Sequence, residues 1–196
     1  MDKRDELLQH LTPTLMVPRF GQFEPLQNPG HRFLMASDGL WLEINRAWLY
    51  ARTQCAPLLG QVPVPYGTVT PCVELRCGRI APAILEQFVV MARAALPNET
   101  AAAVIWNDET GAMHLQPRKE LHASAAHVTV EAVSLAEHEH LVMDLHSHAR
   151  YPAGFSNEDN IYDRAGVYAA GVVGNVDQEH PTYAFRLCLL GLFLSM

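Results

Sequence analysis

The chain of 196 residues is short of charge: Asp, Glu, Lys and Arg make up 18%, and 14 basic against 21 acidic residues leave a net charge of −7. It has no run of Lys or Arg, and binding driven by phosphate neutralisation needs one, so no nucleic-acid partner is expected. Long apolar runs are missing too. The longest, 187–196, is interrupted by Gly191 and Ser195 and is about half the length that spans a bilayer, so no membrane partner is expected. The opening Met1-Asp2-Lys3-Arg4-Asp5-Glu6 is of mixed charge with no apolar stretch behind it, so no export signal is read and a cytoplasmic protein is expected. Cysteine is scarce: Cys55, Cys72, Cys77 and Cys188 read as reduced thiols in that compartment. Cys72 and Cys77 could form half a zinc knuckle, but no second pair follows, and buried thiols on a strand are the reading adopted.

What the chain does have is apolar mass. Hydrophobic residues reach 49%, enough for an ordinary core and incompatible with a disordered tail. The length favours one domain with an appendage, divided here into 1–71 and 72–196. The first part is punctuated by Pro13, Pro18, Pro25, Pro29, Pro57, Pro63, Pro65 and Pro71, a spacing that leaves little room for helices. A strand pair is expected at 31–36 and 40–44 around Ser37-Asp38-Gly39, and 61–67 reads as a linker or edge segment. This part is expected to be a Pro-rich, β-containing extension docked on the rest, because so few residues bury little core of their own.

The second part is more regular. A short strand is expected at 73–77. Ile84, Leu85, Phe88, Val89, Ala92 and Leu96 recur at helical spacing behind Pro82, predicting a helix over 81–96 that ends at Pro97-Asn98. Strands are expected at 100–106, 112–116, 127–133 and 141–145, a helix over 160–168, and closing strands at 169–176 and 183–194. The order β-α-β-β-β-β-α-β-β is that of an α+β fold with α-β-α layering.

The chemistry lies in Asp144-Leu145-His146-Ser147-His148 and Gly154-Phe155-Ser156-Asn157-Glu158-Asp159. Alternate side chains of an extended backbone point the same way, so His146 and His148 can face one point at the end of a buried strand. Asp159 can return a carboxylate to that point after a loop. Two imidazoles and a carboxylate make a three-ligand zinc site with one position open for water. Ser156 to Asp159 also fits a helix capping box, which by itself explains both residues and which would fix Asp159 in space. Ser147, between the histidines, should point away from the site. The second pair, His138-Glu139-His140, lies in an acidic run with no acid at a similar downstream spacing and reads as a solvated turn. His-x-His, seven residues, Ser, two residues, Asp arises by chance in such a composition roughly once in a thousand chains or less.

That spacing resembles the JAMM motif of the MPN-domain zinc metalloproteases, over about 73–196. The resemblance implies a mixed, mostly antiparallel curved sheet with flanking helices, like that of cytidine deaminases. It implies that His146, His148 and Asp159 are zinc ligands. It asks for an upstream glutamate after the first long helix, where Glu99 stands before strand 100–106; Glu99 would hold and deprotonate the attacking water, and Ser156 would help stabilise the oxyanion. Two positions depart from many family members, with Ala149 and Phe155 where proline is common. The whole chain, 39–55 included, is similar to one branch, the PRTRC system A proteins of plasmid and integrative-element gene clusters that also encode a ThiF-like adenylating protein. The function this implies is zinc-dependent hydrolysis of an amide or isopeptide bond, of the deubiquitinase kind, at a ubiquitin-like protein or peptide, with the adenylating protein as a further partner. Two other readings stay open: a catalytically silent MPN-type scaffold, and a zinc hydrolase acting on a non-peptide bond.

Overall fold

The computed structural model describes residues 2–58 and 63–196, and the chain forms two compact units, Met1–Arg76 and Cys77–Met196. The first unit opens with a helix that the proline spacing did not suggest, α1 (Lys3–Leu11). It occupies the stretch ahead of the first proline. The Asp2 side chain accepts from the Arg4 N–H at its start, and Asp5 and Glu6 lie in the first turn, where they offset the unpaired N–H groups of the helix end.

Strands β1 (Thr14–Met16), β2 (Gly30–Ala36), β3 (Gly39–Asn45), β4 (Leu49–Pro57) and β5 (Cys72–Leu75) follow in one sheet, in sequence order. The expected hairpin is β2–β3, closed by Ala36 opposite Gly39. Gly39 has a φ of +142° and a Cβ there would come within 2.2 Å of the Ala56 carbonyl oxygen, so the turn needs glycine. The strand expected at 73–77 is β5, and it pairs with β4, which places it in the first unit's sheet. Of the linker expected at 61–67, residues 61 and 62 lie outside the described residues. Leu34, Ala36, Trp41, Val17 and Val69 form this unit's apolar core. Beside it Glu43 is fully buried. It pairs with Arg32 and accepts from the Tyr50 hydroxyl and the Leu26 N–H, so its charge is compensated from three sides.

The second unit consists of α2 (Pro82–Ala95), β6 (Ala101–Asn107), β7 (Met113–Pro117), β8 (Glu120–Ser124), β9 (His127–Val130), β10 (Glu139–Ser147), α3 (Asn157–Asp163), β11 (Val167–Gly174), β12 (Thr182–Leu189) and β13 (Leu192–Ser195). Six of its strands form a sheet in the order β13-β12-β11-β10-β6-β7, and β8–β9 is a separate hairpin. Only β10 and β11 run parallel, because α3 carries the chain back between them. The sheet is therefore mixed and mostly antiparallel, as expected.

Strand phase decides the layers. A register shift between Leu141 and Met143 inserts one residue opposite β6, and such a bulge exchanges the two faces of everything after it. Met143 and Leu145 then turn to α2, whose Ile84, Phe88, Val89 and Ala92 pack with them and with Ala102, Val104 and Val173. Asp144 and His146 turn to the opposite face. There α3 lies across the sheet, with Tyr162 bonded to Asp144 and Asp163 to Arg186. This is the expected α-β-α layering.

The helix expected at 160–168 begins earlier, at Asn157, because Ser156 caps it, and it stops before Gly166 so that β11 can begin at Val167. The strand expected at 183–194 is split in two by Leu190 and Gly191, whose φ values of 52° and 98° turn the chain. Among the described residues no helix is long and apolar enough to cross a membrane.

Glu43→Ala should destabilise the first unit by about 3–5 kcal/mol, because it leaves Arg32 without its partner in a desolvated setting. Urea unfolding of the full chain, followed by Trp41 and Trp48 fluorescence, measures this. A change near zero would mean that Glu43 is dispensable to this sheet.

Candidate metal centre

His146 lies one residue before the end of β10, opposite Ala101 of β6 and Val172 of β11. His148, two residues on, is still held by the sheet, since its N–H donates to the Val173 carbonyl. Both imidazoles therefore leave the sheet on one side, as the alternation of an extended chain requires. After them the chain bends sharply. Ala149 takes a φ of 46°, its carbonyl accepts from the Val176 N–H, and the Tyr151 carbonyl accepts from the Asn175 N–H. This loop lies flat against Gly174, where a Cβ would come within 2.2 Å of the Ala153 nitrogen. Glycine at 174 is thus a requirement of the site's backbone. Its only sequence signal is a lone glycine at the end of an apolar strand.

Asp159 arrives on α3. Its Oδ2 accepts from both the Ser156 N–H (2.6 Å) and the Ser156 hydroxyl (2.7 Å), while the Asp159 N–H donates to Ser156 Oγ. The capping box anticipated from the sequence is complete, and it leaves Oδ1 free to face the histidines. His146 Nε2 lies 3.2 Å from His148 Nε2 and 3.3 Å from Asp159 Oδ1, and the three donors all lie within 4.8 Å of one another. Two tetrahedral ligand atoms at zinc bond lengths of about 2.0–2.1 Å are separated by about 3.3 Å, so the donor set fits one such ion. Burial holds the His146 imidazole below its ordinary value despite the opposing pull of Asp159, which favours the neutral, ligating form. His148 Nδ1 lies 3.3 Å from the Pro152 carbonyl, an acceptor that favours a proton on Nδ1 and the lone pair on Nε2.

Glu99 opens into the same cleft, of about 620 Å³, together with His146, His148, Ser156 and Asp159. It is 5% exposed. Burial pushes its carboxyl up to about 7, and the carboxylates of Asp159 and Glu158 push in the same direction. Its backbone is fastened on two sides. The Glu99 N–H donates to the Ser124 carbonyl of β8. The next N–H, of Thr100, donates to Ser147 Oγ, and the Ser147 N–H returns a bond to the Thr100 carbonyl. Ser147, fully buried, points away from the metal donors as expected. It still serves the site by locking the Glu99 strand to the histidine strand. The segment 118–126, which the sequence does not place, contains β8 of the hairpin. Ala126 to Val130 of that hairpin form one wall of the cleft, and His127 reaches Glu158 at its rim, 3.2 Å away.

The other sequence candidates fall elsewhere. His138 and His140 each bond a different oxygen of the Asp108 carboxylate at the surface. Cys55, Cys72 and Cys77 are half-buried and Cys188 is buried, all as free thiols; none joins a ligand cluster among the described residues.

The Glu99 shift makes a prediction about stability. A carboxyl whose folded value lies above its unfolded one binds its proton more tightly when folded, so the stability it contributes is present at low pH and is lost as pH rises through the interval from 4.5 to about 7. Metal-free wild type should therefore weaken between pH 5 and pH 8 relative to Glu99→Gln, by roughly 2–3 kcal/mol. Denaturant unfolding of both proteins in chelator tests this, and parallel pH profiles would contradict it.

Residues 2–76 match a family model described as a domain of unknown function (DUF2016). Residues 81–188 match the model described as prokaryotic homologs of the JAB domain. No curated protein gives a significant match. The solution structure of protein DSY2949 from Desulfitobacterium hafniense is similar over 58% of this chain and 86% of that one, with 17% identity and a TM-score of 0.45. The JAB match covers more than half of the chain, a span that contains Glu99, His146, His148, Ser156 and Asp159, so the protein belongs to the prokaryotic branch of the JAB, or JAMM/MPN, family.

Proposed function

We propose that the protein is a zinc-dependent amide hydrolase, an isopeptidase or peptidase that acts at the C-terminus of a ubiquitin-like protein. The observation that carries this reading is the convergence of His146 Nε2, His148 Nε2 and Asp159 Oδ1 in a cleft that Glu99 also lines. A silent scaffold has no need of convergent donors beside a buried acid. Zinc held by His146, His148 and Asp159 would supply a water acidified to near-neutral pKa and a Lewis acid for the carbonyl.

The protein's own groups do the rest. Glu99 takes a proton from the attacking water and returns it to the amine nitrogen as the C–N bond breaks. The Ser156 hydroxyl, now donating to Asp159, lies at the cleft and can turn a donor toward the developing oxyanion. No cysteine or serine nucleophile is used.

The cleft supports an extended peptide as substrate. Strand β9 pairs only with β8 among the described residues, and Ala126 to Val130 line the cleft, so a chain end can lie beside unpaired backbone groups. The PRTRC system branch, with a ThiF-like adenylating protein as partner, is the finer placement we propose, on the sequence resemblance. An adenylating protein of that kind and an isopeptidase act on the same chain end in opposite directions.

Three variants separate the roles. Glu99→Gln should keep zinc and lose at least about 10²–10⁴-fold in turnover. Asp159→Asn should lose zinc affinity and activity together, with partial rescue by added zinc. Ser156→Ala should keep zinc and lose about 2–4 kcal/mol of transition-state stabilisation, plus about 0.5–2 kcal/mol of helix capping. Zinc content and turnover of a ubiquitin-like isopeptide substrate, measured on the same preparations, decide the outcome. Glu99→Gln with full activity would break the mechanism. Loss of zinc by Glu99→Gln with retention by Asp159→Asn would invert the assignments.

A further inference from the structure

Two of the three proposed metal donors lie at the end of a strand fixed within a six-stranded sheet, His146 on β10 and His148 just past it. The third lies on a seven-residue helix with exposed Ile161 and Tyr162, too short to hold its own position. Something outside α3 has to fix it, and Arg186 of β12 is placed to do so. Asp144, Ala170 and Arg186 stand side by side across three strands, on the face under α3. Ala170 is small, so the long Arg186 side chain can rise beside it toward the helix. Arg186 is 6% exposed. Its guanidinium lies 3.9 Å from the Phe155 ring centroid and 4.0 Å from that of Phe193, so an aromatic ring covers it on either side. Its Nε and Nη2 donate to Asp163 Oδ2, at 3.2 and 2.6 Å, and its Nη1 donates to Asn160 Oδ1. The other Asp163 oxygen accepts from the Tyr168 hydroxyl of β11 at 2.7 Å.

These contacts fall at chosen places along the chain. Phe155 immediately precedes Ser156, Asn160 immediately follows Asp159, and Asp163 ends the helix. One planar cation from the sheet thus grips the capped segment before, within and after the residues that present Asp159. A guanidinium can do this because its donors lie in a rigid plane while its faces remain free to stack; a lysine ammonium cannot. A buried ion pair gives little net stability compared with an apolar substitute, so its use is geometric.

We infer that Arg186 is the positioning residue of the metal centre: it holds segment 155–163 against the sheet so that Asp159 Oδ1 meets His146 and His148. This rests on the proposed zinc site and goes beyond it, since Arg186 touches none of the three donors.

The test is zinc affinity, measured for the full chain by competition with a chromophoric chelator, on wild type, Arg186→Lys, Phe155→Leu, Asp159→Asn and the double variant Arg186→Lys/Asp159→Asn. Thermal unfolding of each metal-free protein is followed in parallel. Arg186→Lys keeps the charge beside Asp163 but loses the fork and the stacking. It should weaken zinc binding by about 10–100-fold, the range typical of outer partners of metal ligands. Phe155→Leu should weaken binding in the same direction by less. In the Asp159→Asn background Arg186→Lys should have no further effect, because the group it positions has lost its role. A purely structural role would instead lower thermal stability and leave zinc affinity as in wild type, or lower affinity equally in both backgrounds; either result overturns the inference. Should Arg186→Lys fail to fold, Phe155→Leu decides alone, since it leaves the Arg186–Asp163 pair intact: unchanged affinity overturns the inference, and a loss absent from the Phe155→Leu/Asp159→Asn double variant supports it. Wild type without zinc affinity would overturn the metal centre itself, a result distinct from zinc binding that is indifferent to Arg186.

Discussion

The two oxygens of the Asp159 carboxylate have separate tasks, and the cleft depends on that separation. Oδ2 closes the N-terminus of α3 through Ser156, while Oδ1 faces His146 at 3.3 Å. A carboxylate free to rotate would satisfy the helix end with either oxygen and present the other in no fixed direction. With one oxygen held by two donors, the second is aimed before any ion arrives, which lowers the ordering cost of binding. The helix cap and the proposed ligand are therefore one arrangement.

Around that carboxylate the second unit balances charge. Asp144, on the sheet face beneath α3, is raised by burial and pulled back by Arg118, whose guanidinium bonds both of its oxygens and the Glu131 carbonyl at the foot of the hairpin. Asp163 is paired with Arg186 at 2.6 Å. Among the described residues Glu99 has no such partner. Burial and two neighbouring carboxylates act on it in one direction, and a cation at the donor set is what would relieve it. The cleft thus leaves one acid uncompensated, beside the place where positive charge is proposed to bind.

Much of this was legible beforehand for local reasons. The helix at Pro82–Ala95 follows from apolar spacing and a tolerated proline. The hairpin at Gly30–Asn45 follows from alternation around Ser37-Asp38-Gly39. The shared direction of His146 and His148 follows from the two-residue repeat of a strand. Each is decided within about sixteen residues or fewer, where backbone geometry leaves few options. Helix α1 was missed because proline spacing was extended over a stretch that contains none. Strand β8 is not legible because Glu120–Ser124 alternates only Leu121 and Ala123 with polar residues over five positions, and a register shift against its partner β9 interrupts even that.

The sequence by itself determined the donors: two imidazoles and a carboxylate at a spacing that a strand end and a capped helix can bring together. Only the tertiary structure decided that they meet, and how firmly. The Val142 bulge that sets the face of His146, the bare Gly174 under the loop, the Ser147 bond to Thr100 and the Arg186 grip on α3 join residues from 21 to 47 positions apart. Such pairings carry no periodic signal, because what selects them is space and unsatisfied polar groups in the folded chain rather than the preferences of neighbouring residues.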